Sequence, residues 1–278
     1  MSLGVFLAVI AAAFLHALWN ALIKRGPSKA GAMVALSVME IPIGLAVALV
    51  TPTIDLAALP WVIAAGATHF LYKLFLGRAY EWGDLSRVYP IARGAAPMLV
   101  ALAGALFLAD PMSALQYAAV AVLGLGILLM ARGVFRGGEN RRLLAFTLGS
   151  ALATACYTLI DGMGARISGS AVNYVAWVFV VDGLFYGLGM ILWRGRAVVP
   201  RGWPAWRIGA LAAAASYGAY AVSIWAMTLA PIALVAALRE TSILFAVGIG
   251  WLVFGERMDR GKALAAAVIV LGVMLTRI

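Results

Sequence analysis

Ten apolar segments of about 20 residues each follow one another along this chain, separated only by short polar breaks. A segment of this kind is long enough to cross the hydrocarbon core of a bilayer as an α-helix. No break exceeds about a dozen residues, which leaves no room for a domain outside the membrane. The segments lie at about residues 3–22, 31–50, 60–79, 88–107, 113–131, 143–163, 172–192, 207–227, 232–253 and 261–277.

The composition supports this interpretation. Of the 278 residues, 65% are hydrophobic and only 12% are charged, whereas a soluble domain has about 25% charged residues. These values exclude a soluble globular protein, a disordered chain, a coiled coil and a collagen. The sequence therefore predicts an all-α integral membrane protein with ten transmembrane helices, in which the first segment is a retained helix rather than a cleaved signal peptide.

The net charge of +10 comes from basic residues that are concentrated in alternate loops. Sixteen of the 21 Lys and Arg residues lie in the odd-numbered loops, whereas the even-numbered loops and the termini hold only Arg166 and Arg277. The positive-inside rule then places the odd loops in the cytoplasm and both termini outside. We expect a multi-pass protein of a bacterial-type inner (plasma) membrane, with the lipid bilayer and a small-molecule substrate as partners and no nucleic acid.

The two halves of the chain resemble each other. A shift of 146 residues aligns 108–132 with 254–278 and places Arg93 over Arg239, and shifts of 141 and 142 relate Asn20 to Asp161 and Glu40 to Asp182. Two repeats of five helices must be inverted relative to one another, because five is odd. The sequence thus predicts a first repeat at 1–137 and a second at 138–278, with a binding site between them near the middle of the membrane.

Four motifs carry a resemblance to a known family. They are LHALWNALIK at 15–24, GRAYEWGDLSRVYPIARGAAP at 77–97, AMTLAPIALVAALRETSILFAV at 226–247 and FGERM at 254–258. Together they resemble the EamA-like, ten-helix branch of the drug/metabolite transporter superfamily. The first repeat departs from the family pattern, since Ala-Asp at 109–110 replaces Gly-Glu.

The resemblance implies a secondary transporter or facilitator that exports small metabolites by alternating access, and it is nearest to exporters of aromatic and other neutral amino acids. The alternatives are import of another small metabolite, efflux of cationic drugs and, more remotely, an intramembrane enzyme. The proton site of the related four-helix pumps, a glutamate in the first helix, does not carry over, because His16 and Asn20 occupy this helix.

Polar and ionisable residues inside the spans are candidate site residues, because each one is costly in hydrocarbon unless it is paired or faces water. His69, Tyr72 and Lys73 share one face of the third helix, and Tyr217 and Tyr220 repeat the spacing in the eighth. These residues predict a cavity lined by aromatic rings and a cation. The alternative is hydrogen bonding between helices, with Lys73 reaching towards the interface.

Helices four and nine each carry an arginine within the predicted span. Tyr89, Pro90, Arg93 and Pro97 suggest a broken fourth helix, whose guanidinium could hold a substrate carboxylate in a bidentate contact. In helix nine, Arg239 is followed directly by Glu240, so the alternative there is an internal ion pair. Arg93 is the preferred substrate ligand because no acid is adjacent to it, although Asp161 or Glu40 could reach it.

The equivalent first and sixth helices contribute Trp19, Asn20, Tyr157 and Asp161 to the predicted site. Asp161 could bind a substrate ammonium group or a proton, or lie exposed in a glycine-rich turn. Glu40 and Asp182 lie in mid-span, where burial favours the protonated carboxyl. They are the candidates for proton coupling, with a protonated structural acid as the alternative.

The sequence suggests no cofactor and no metal. It has one cysteine, Cys156, two histidines and no phosphate-binding loop. The glycine pairs 124/126, 183/187 and 248/250 are interpreted as sites of close helix packing. A monomer is expected, since ten helices suffice to enclose a pathway.

Overall fold

In the computed structural model, residues 1–24, 28–82, 85–108, 110–130, 141–255 and 260–277 are described, and they form helices joined by turns. Residues 56–58 and 196–198 are short 3₁₀ turns. The α-helices are α1 Leu3–Lys24, α2 Lys29–Val50, α3 Leu59–Trp82, α4 Leu85–Phe107, α5 Ala114–Met130, α6 Arg141–Ile167, α7 Ala171–Arg194, α8 Trp203–Met227, α9 Ile232–Arg239, α10 Ser242–Phe254 and α11 Arg260–Leu275.

The predicted all-α fold is confirmed, and each predicted apolar segment coincides with helix. Seven of these stretches in the described residues are long and apolar enough to cross a membrane, and one of them, Ile232–Val253, comprises α9 and all but the last residue of α10. The apolar parts of α4 and α5, Ala95–Phe107 and Ala114–Met130, are shorter.

The helix ends follow from local sequence. The Ser28 hydroxyl accepts a hydrogen bond from the Gly31 N–H at the start of α2, and Ser170 caps α7 in the same way. Gly195 follows α7 with φ of 75°, a backbone conformation that side chains disfavour. These caps satisfy backbone groups that the helix itself leaves unpaired.

Helices from the two halves of the chain interleave. Helix α3 packs on α6, and α1 packs on α8; α2 packs on α7, α5 on α11 and α4 on α9. Helix α2 also contacts α8, and α7 also contacts α3. The core of the bundle is consequently built from contacts between distant parts of the sequence.

Glycines permit several of these close contacts, as predicted. A Cβ atom on Gly183 would lie 2.5 Å from the Ser37 carbonyl oxygen of α2, and one on Gly126 would lie 2.9 Å from the Ile269 nitrogen of α11. The packing prediction is thus confirmed for the 124/126 and 183/187 pairs. It is wrong for Gly248, around which a Cβ would meet no atom within 4 Å.

The interruption expected in helix four occurs instead in the ninth span. Helix α4 runs through Pro90 and Pro97 without a break, whereas Glu240 and Thr241 separate α9 from α10. The N–H groups of Glu240, Thr241, Ile243 and Leu244 each bond to the carbonyl three residues earlier. These tight turns give the backbone N–H groups their hydrogen bonds while the chain passes from α9 to α10. The interruption therefore needs no proline or glycine.

Candidate functional site

Asp161 is the centre of a buried hydrogen-bonded cluster. Its side chain is 0% exposed. Tyr174 donates to Oδ1 at 3.1 Å, Tyr220 donates to Oδ2, and His69 Nε2 lies 3.0 Å from Oδ2. The ring of Tyr157 packs 4.2 Å from the ring of His69. We call these five side chains, contributed by α3, α6, α7 and α8, the Asp161 cluster.

This geometry corrects one expectation from the sequence. The alternative that Asp161 lies exposed in a glycine-rich turn is wrong, since residues 161–164 are helical and the carboxylate is fully buried. The glycines serve packing instead. A Cβ on Gly164 would overlap the phenol of Tyr174, and one on Gly162 would lie 2.6 Å from Ile232. Gly164 therefore makes room for the hydroxyl that reaches Asp161.

Lys73 forms a second buried cluster with two acids. Its Nζ atom lies 2.5 Å from Asp182 Oδ2 and 3.6 Å from Glu40 Oε2, and it donates to Ser37 Oγ at 2.7 Å. Ser216 donates to Glu40 Oε1 at 3.1 Å. Two carboxyl groups thus face one ammonium group in a region shielded from water. We call these five residues the Lys73 cluster.

Arg93 pairs with an acid from the other half of the chain. Its Nε atom lies 2.9 Å from Glu240 Oε2, and its Nη2 atom lies 2.9 Å from His16 Nε2. Trp19 Nε1 lies 3.2 Å from the other ring nitrogen of His16. Neither Asp161 nor Glu40, which the sequence offered as partners, forms an ion pair with Arg93 in the described part of the chain. Arg93 and Glu240 are each about 1% exposed.

Arg239 is a buried cation that forms no ion pair within the described part of the chain. It is 3% exposed, and its guanidinium carbon lies 5.6 Å from the ring centroid of Tyr220 and 6.0 Å from that of Tyr157. No acid among the described residues lies within ion-pair distance. The pair with Glu240 suggested by the sequence is not formed, because Glu240 reaches Arg93 instead.

Polar atoms at the α9–α10 break lack protein partners. Arg239 Nε and Ser242 Oγ are both buried and have no hydrogen-bond partner within the described ranges. An orphaned buried donor costs free energy unless a ligand or water meets it. The break therefore combines a ring-flanked guanidinium with unsatisfied hydrogen-bonding capacity.

The remaining predicted residues lie around these clusters. Tyr72 packs against Tyr157 with ring centroids 5.5 Å apart, and Tyr217 donates to the Val172 carbonyl at 3.1 Å. Asn20 donates to the His16 carbonyl of its own helix at 2.7 Å. The side chain of Tyr89 lies outside the described residues.

Several contributors were not predicted from the sequence. Tyr174 and Tyr186 both belong to α7, and the Tyr186 ring lies 5.0 Å from Lys73 Nζ. The position of Tyr186, four residues after Asp182, was the available signal, because such residues share a helix face. The pair Asp110–Arg166, at 3.2 Å, was also missed. There Asp110 also accepts from the Ile232 N–H at 2.8 Å, which anchors the start of α9.

Comparison with known proteins agrees with this architecture. The model of the EamA-like transporter family matches residues 142–278. A solved structure described as "Crystal structure of protein" is similar in fold, with a TM-score of 0.72 at 17% sequence identity over 98% of this chain and 94% of that chain. No curated protein matches the sequence.

These observations define a multi-pass, all-helical membrane protein. The match to the EamA-like transporter family covers its second half, and this match supports the resemblance to the drug/metabolite transporter superfamily. The closer likeness to amino acid exporters remains a prediction.

Proposed function

We propose that this protein is an inner-membrane secondary transporter that exports small amphipathic carboxylates, amino acids above all, by alternating access of two inverted halves. The observation that carries the proposal is Arg239. It is a fully buried guanidinium at a helix break, flanked by two tyrosine rings and without an acid partner among the described residues. A carboxylate would supply the missing counter-charge through charge-assisted hydrogen bonds.

The neighbouring groups suit an amino acid. Tyr157 and Tyr220 present ring faces beside Arg239, and Tyr72 and Phe179 extend the aromatic surface. Aromatic surfaces of this kind bind apolar side chains well. In this proposal Arg239 replaces Arg93 as the principal carboxylate ligand, because Arg93 already pairs with Glu240. Tyr217 packs against Phe179 with ring centroids 5.3 Å apart, and Trp19 lies beside His16, which bonds to Arg93.

The closure of the site supports alternating access. Arg239, Tyr157, Asp161 and Tyr220 are all less than 10% exposed, so a substrate can reach them only when helices separate. The α9–α10 break provides a bending point next to Arg239, and Pro90 and Gly94 are candidates in α4. Such hinge motions around a midplane site are typical of secondary transporters.

The helix packing supports two inverted repeats. In this arrangement α1 is the counterpart of α6, and α3 is the counterpart of α8. If each helix is exchanged with its counterpart, the α3–α6 contact becomes the α8–α1 contact, which is also observed. The same exchange turns the α2–α8 contact into α7–α3. The exchange leaves the α2–α7 and α5–α11 contacts unchanged, because each of them joins a helix to its own counterpart. Helices beside a pseudo-twofold axis are expected to pack in this way.

The Lys73 cluster supports proton coupling. If Glu40 and Asp182 are both ionised, they exceed the single charge of Lys73 by one negative charge, and a proton can neutralise it. Intramembrane acids of this kind are the usual carriers in proton-driven transporters. Export, as opposed to import, rests on the resemblance to amino acid exporters.

Uptake into proteoliposomes tests the proposal. Purified protein is assayed with radiolabelled methionine, threonine and aromatic amino acids, with and without a pH gradient. Saturable uptake that protein-free vesicles lack is the expected result. The absence of uptake across the panel by folded protein would overturn the amino acid assignment.

A further inference from the structure

An apolar groove lies on the outside of the bundle, away from the clusters described above. It has a volume of about 510 Å³ and is lined by Phe70, Leu74, Phe75 and Arg78 of α3, by Phe146 of α6 and by Trp193 of α7. Helix α3 forms its floor, and the two other helices form its walls.

Two glycines allow α3, the floor of the groove, to pack closely against its neighbours. A Cβ on Gly189 would lie 2.7 Å from the Phe70 ring, and one on Gly149 would lie 3.3 Å from the Phe75 ring. The two phenyl rings of α3 can therefore insert against α7 and α6, respectively. The groove is built by close packing and is open on its outer side, where the acyl chains of a bilayer would lie.

One end of the groove is strongly basic. The guanidinium carbons of Arg78 and Arg194 lie 4.5 and 4.7 Å from the centroid of the Trp193 ring. Arg142 lies one helical turn before Phe146 on the same face of α6, and Arg196 follows Arg194. Arginines outnumber acidic residues by six to two in the segments 78–84, 141–147 and 189–203.

We propose that this groove is a binding site for one anionic phospholipid, with a phosphate headgroup at the arginines and an acyl chain along the phenyl rings. Arginine binds phosphate oxygens through a planar fork of donors, and basic pockets between transmembrane helices recognise anionic headgroups. The ends of α3 and α7 and the start of α6 meet here, and all three adjoin loops expected to be cytoplasmic. The lipid then comes from the cytoplasmic leaflet.

Lipid titration followed by native mass spectrometry tests this site on detergent-solubilised full-length protein. Phosphatidylglycerol and phosphatidylethanolamine are compared in wild type, in the double variant Arg78→Gln/Arg194→Gln, and in the control Arg207→Gln. Arg207 is an exposed arginine of α8 that does not line the groove. Each arginine near an anionic lipid contributes about a factor of five in affinity, so we expect about 25-fold weaker phosphatidylglycerol binding in the double variant.

A second variant, Leu74→Trp, fills the groove without changing charge and is expected to weaken binding while both arginines remain. Equal binding of the two lipids by wild type would overturn the proposal. So would an equal loss in Arg207→Gln, or full binding by Leu74→Trp. Displacement of the lipid by glycerol phosphate alone would show that the site takes a free phosphate and would also contradict it. None of these readouts depends on transport.

Discussion

At the scale of single residues, the identity of the polar groups could be predicted but their pairing could not. Ionisable side chains in apolar segments are conspicuous, and Lys73, Asp182, Arg93 and Glu240 were all identified in this way. Lys73 and Asp182 are 109 residues apart in the sequence, so their contact depends on how α3 and α7 are rotated and aligned. Arg239 and Glu240 are adjacent in the sequence but do not form the ion pair that this suggested, because the side chains of consecutive helical residues point about 100° apart.

Substitution of Arg239 tests the carboxylate assignment. Arg239→Ala should reduce amino acid uptake by about 10- to 100-fold, because a hydrogen bond to a charged group is worth about 1.5–3 kcal/mol. Arg239→Lys should be intermediate, since lysine keeps the charge but lacks the planar fork. Initial rates in proteoliposomes over a range of substrate concentrations measure both effects. Arg207→Gln is the matched control, and wild-type rates in Arg239→Ala would contradict the assignment.

The Arg93–Glu240 pair should behave as a buried ion pair. Removing one partner in Arg93→Met or Glu240→Leu leaves an unpaired buried charge, which costs about 3–5 kcal/mol. The double variant should recover much of that loss. Unfolding in mixed detergent micelles gives the coupling energy of the cycle, and additive single losses would argue against the pair.

At the scale of helices, apolar length was sufficient to locate the spans. It was insufficient to locate the break, because the tight turns at Glu240 and Thr241 use ordinary residues, whereas the prolines of α4 leave that helix continuous. Glycine spacing predicted close packing for α5 and α7. It could not distinguish Gly248, since a glycine has the same sequence signature whether or not a neighbour lies against it.

This difference between glycines yields a matched pair of variants. Gly183→Ala should destabilise the protein by about 1–3 kcal/mol, because the added methyl group meets the α2 backbone, which cannot yield as a side chain does. Gly248→Ala should be neutral or stabilising by up to about 1 kcal/mol, since alanine favours helix and the space is open. Thermal unfolding in one detergent compares them. Equal effects would contradict the packing derived for α2 and α7.

At the scale of the whole molecule, the charge distribution predicts which loops face the cytoplasm. In a Cys156→Ser background, Thr53→Cys should react with an impermeant maleimide added to intact cells, and Arg201→Cys should react only after lysis. Both positions are exposed in the structure. The opposite labelling pattern would invert the predicted topology, and with it the leaflet assigned to the lipid groove.

Proton coupling can be separated from substrate binding. Asp182→Asn and Glu40→Gln should abolish the stimulation of uptake by a pH gradient while leaving exchange of internal for external substrate intact, because exchange needs no net proton movement. Both activities are measured in the same proteoliposomes. A gradient response retained by both variants would assign coupling elsewhere.

The bundle as a whole depends on contacts that no local pattern encodes. The similarity between the two halves of the sequence suggested counterpart helices, but it did not specify that α3 packs on α6 or α1 on α8. Shape complementarity between distant segments decides such contacts, and single glycines or tyrosines determine it. The motif at 254–258, for its part, lies largely outside the described residues.

Tyr220 has a consequence of its own, since its hydroxyl bonds to Asp161 while its ring lies beside Arg239. An anion that displaces the ring alters the solvation of the carboxylate, and a change at the carboxylate repositions the ring. Thermodynamic reciprocity then fixes the relation between the two events: whatever factor the loss of the Tyr220–Asp161 hydrogen bond applies to the affinity for the anion, the anion applies to the equilibrium between the bonded and the separated phenol. One phenol would thus link occupancy of the site to the contact that joins α6 and α8.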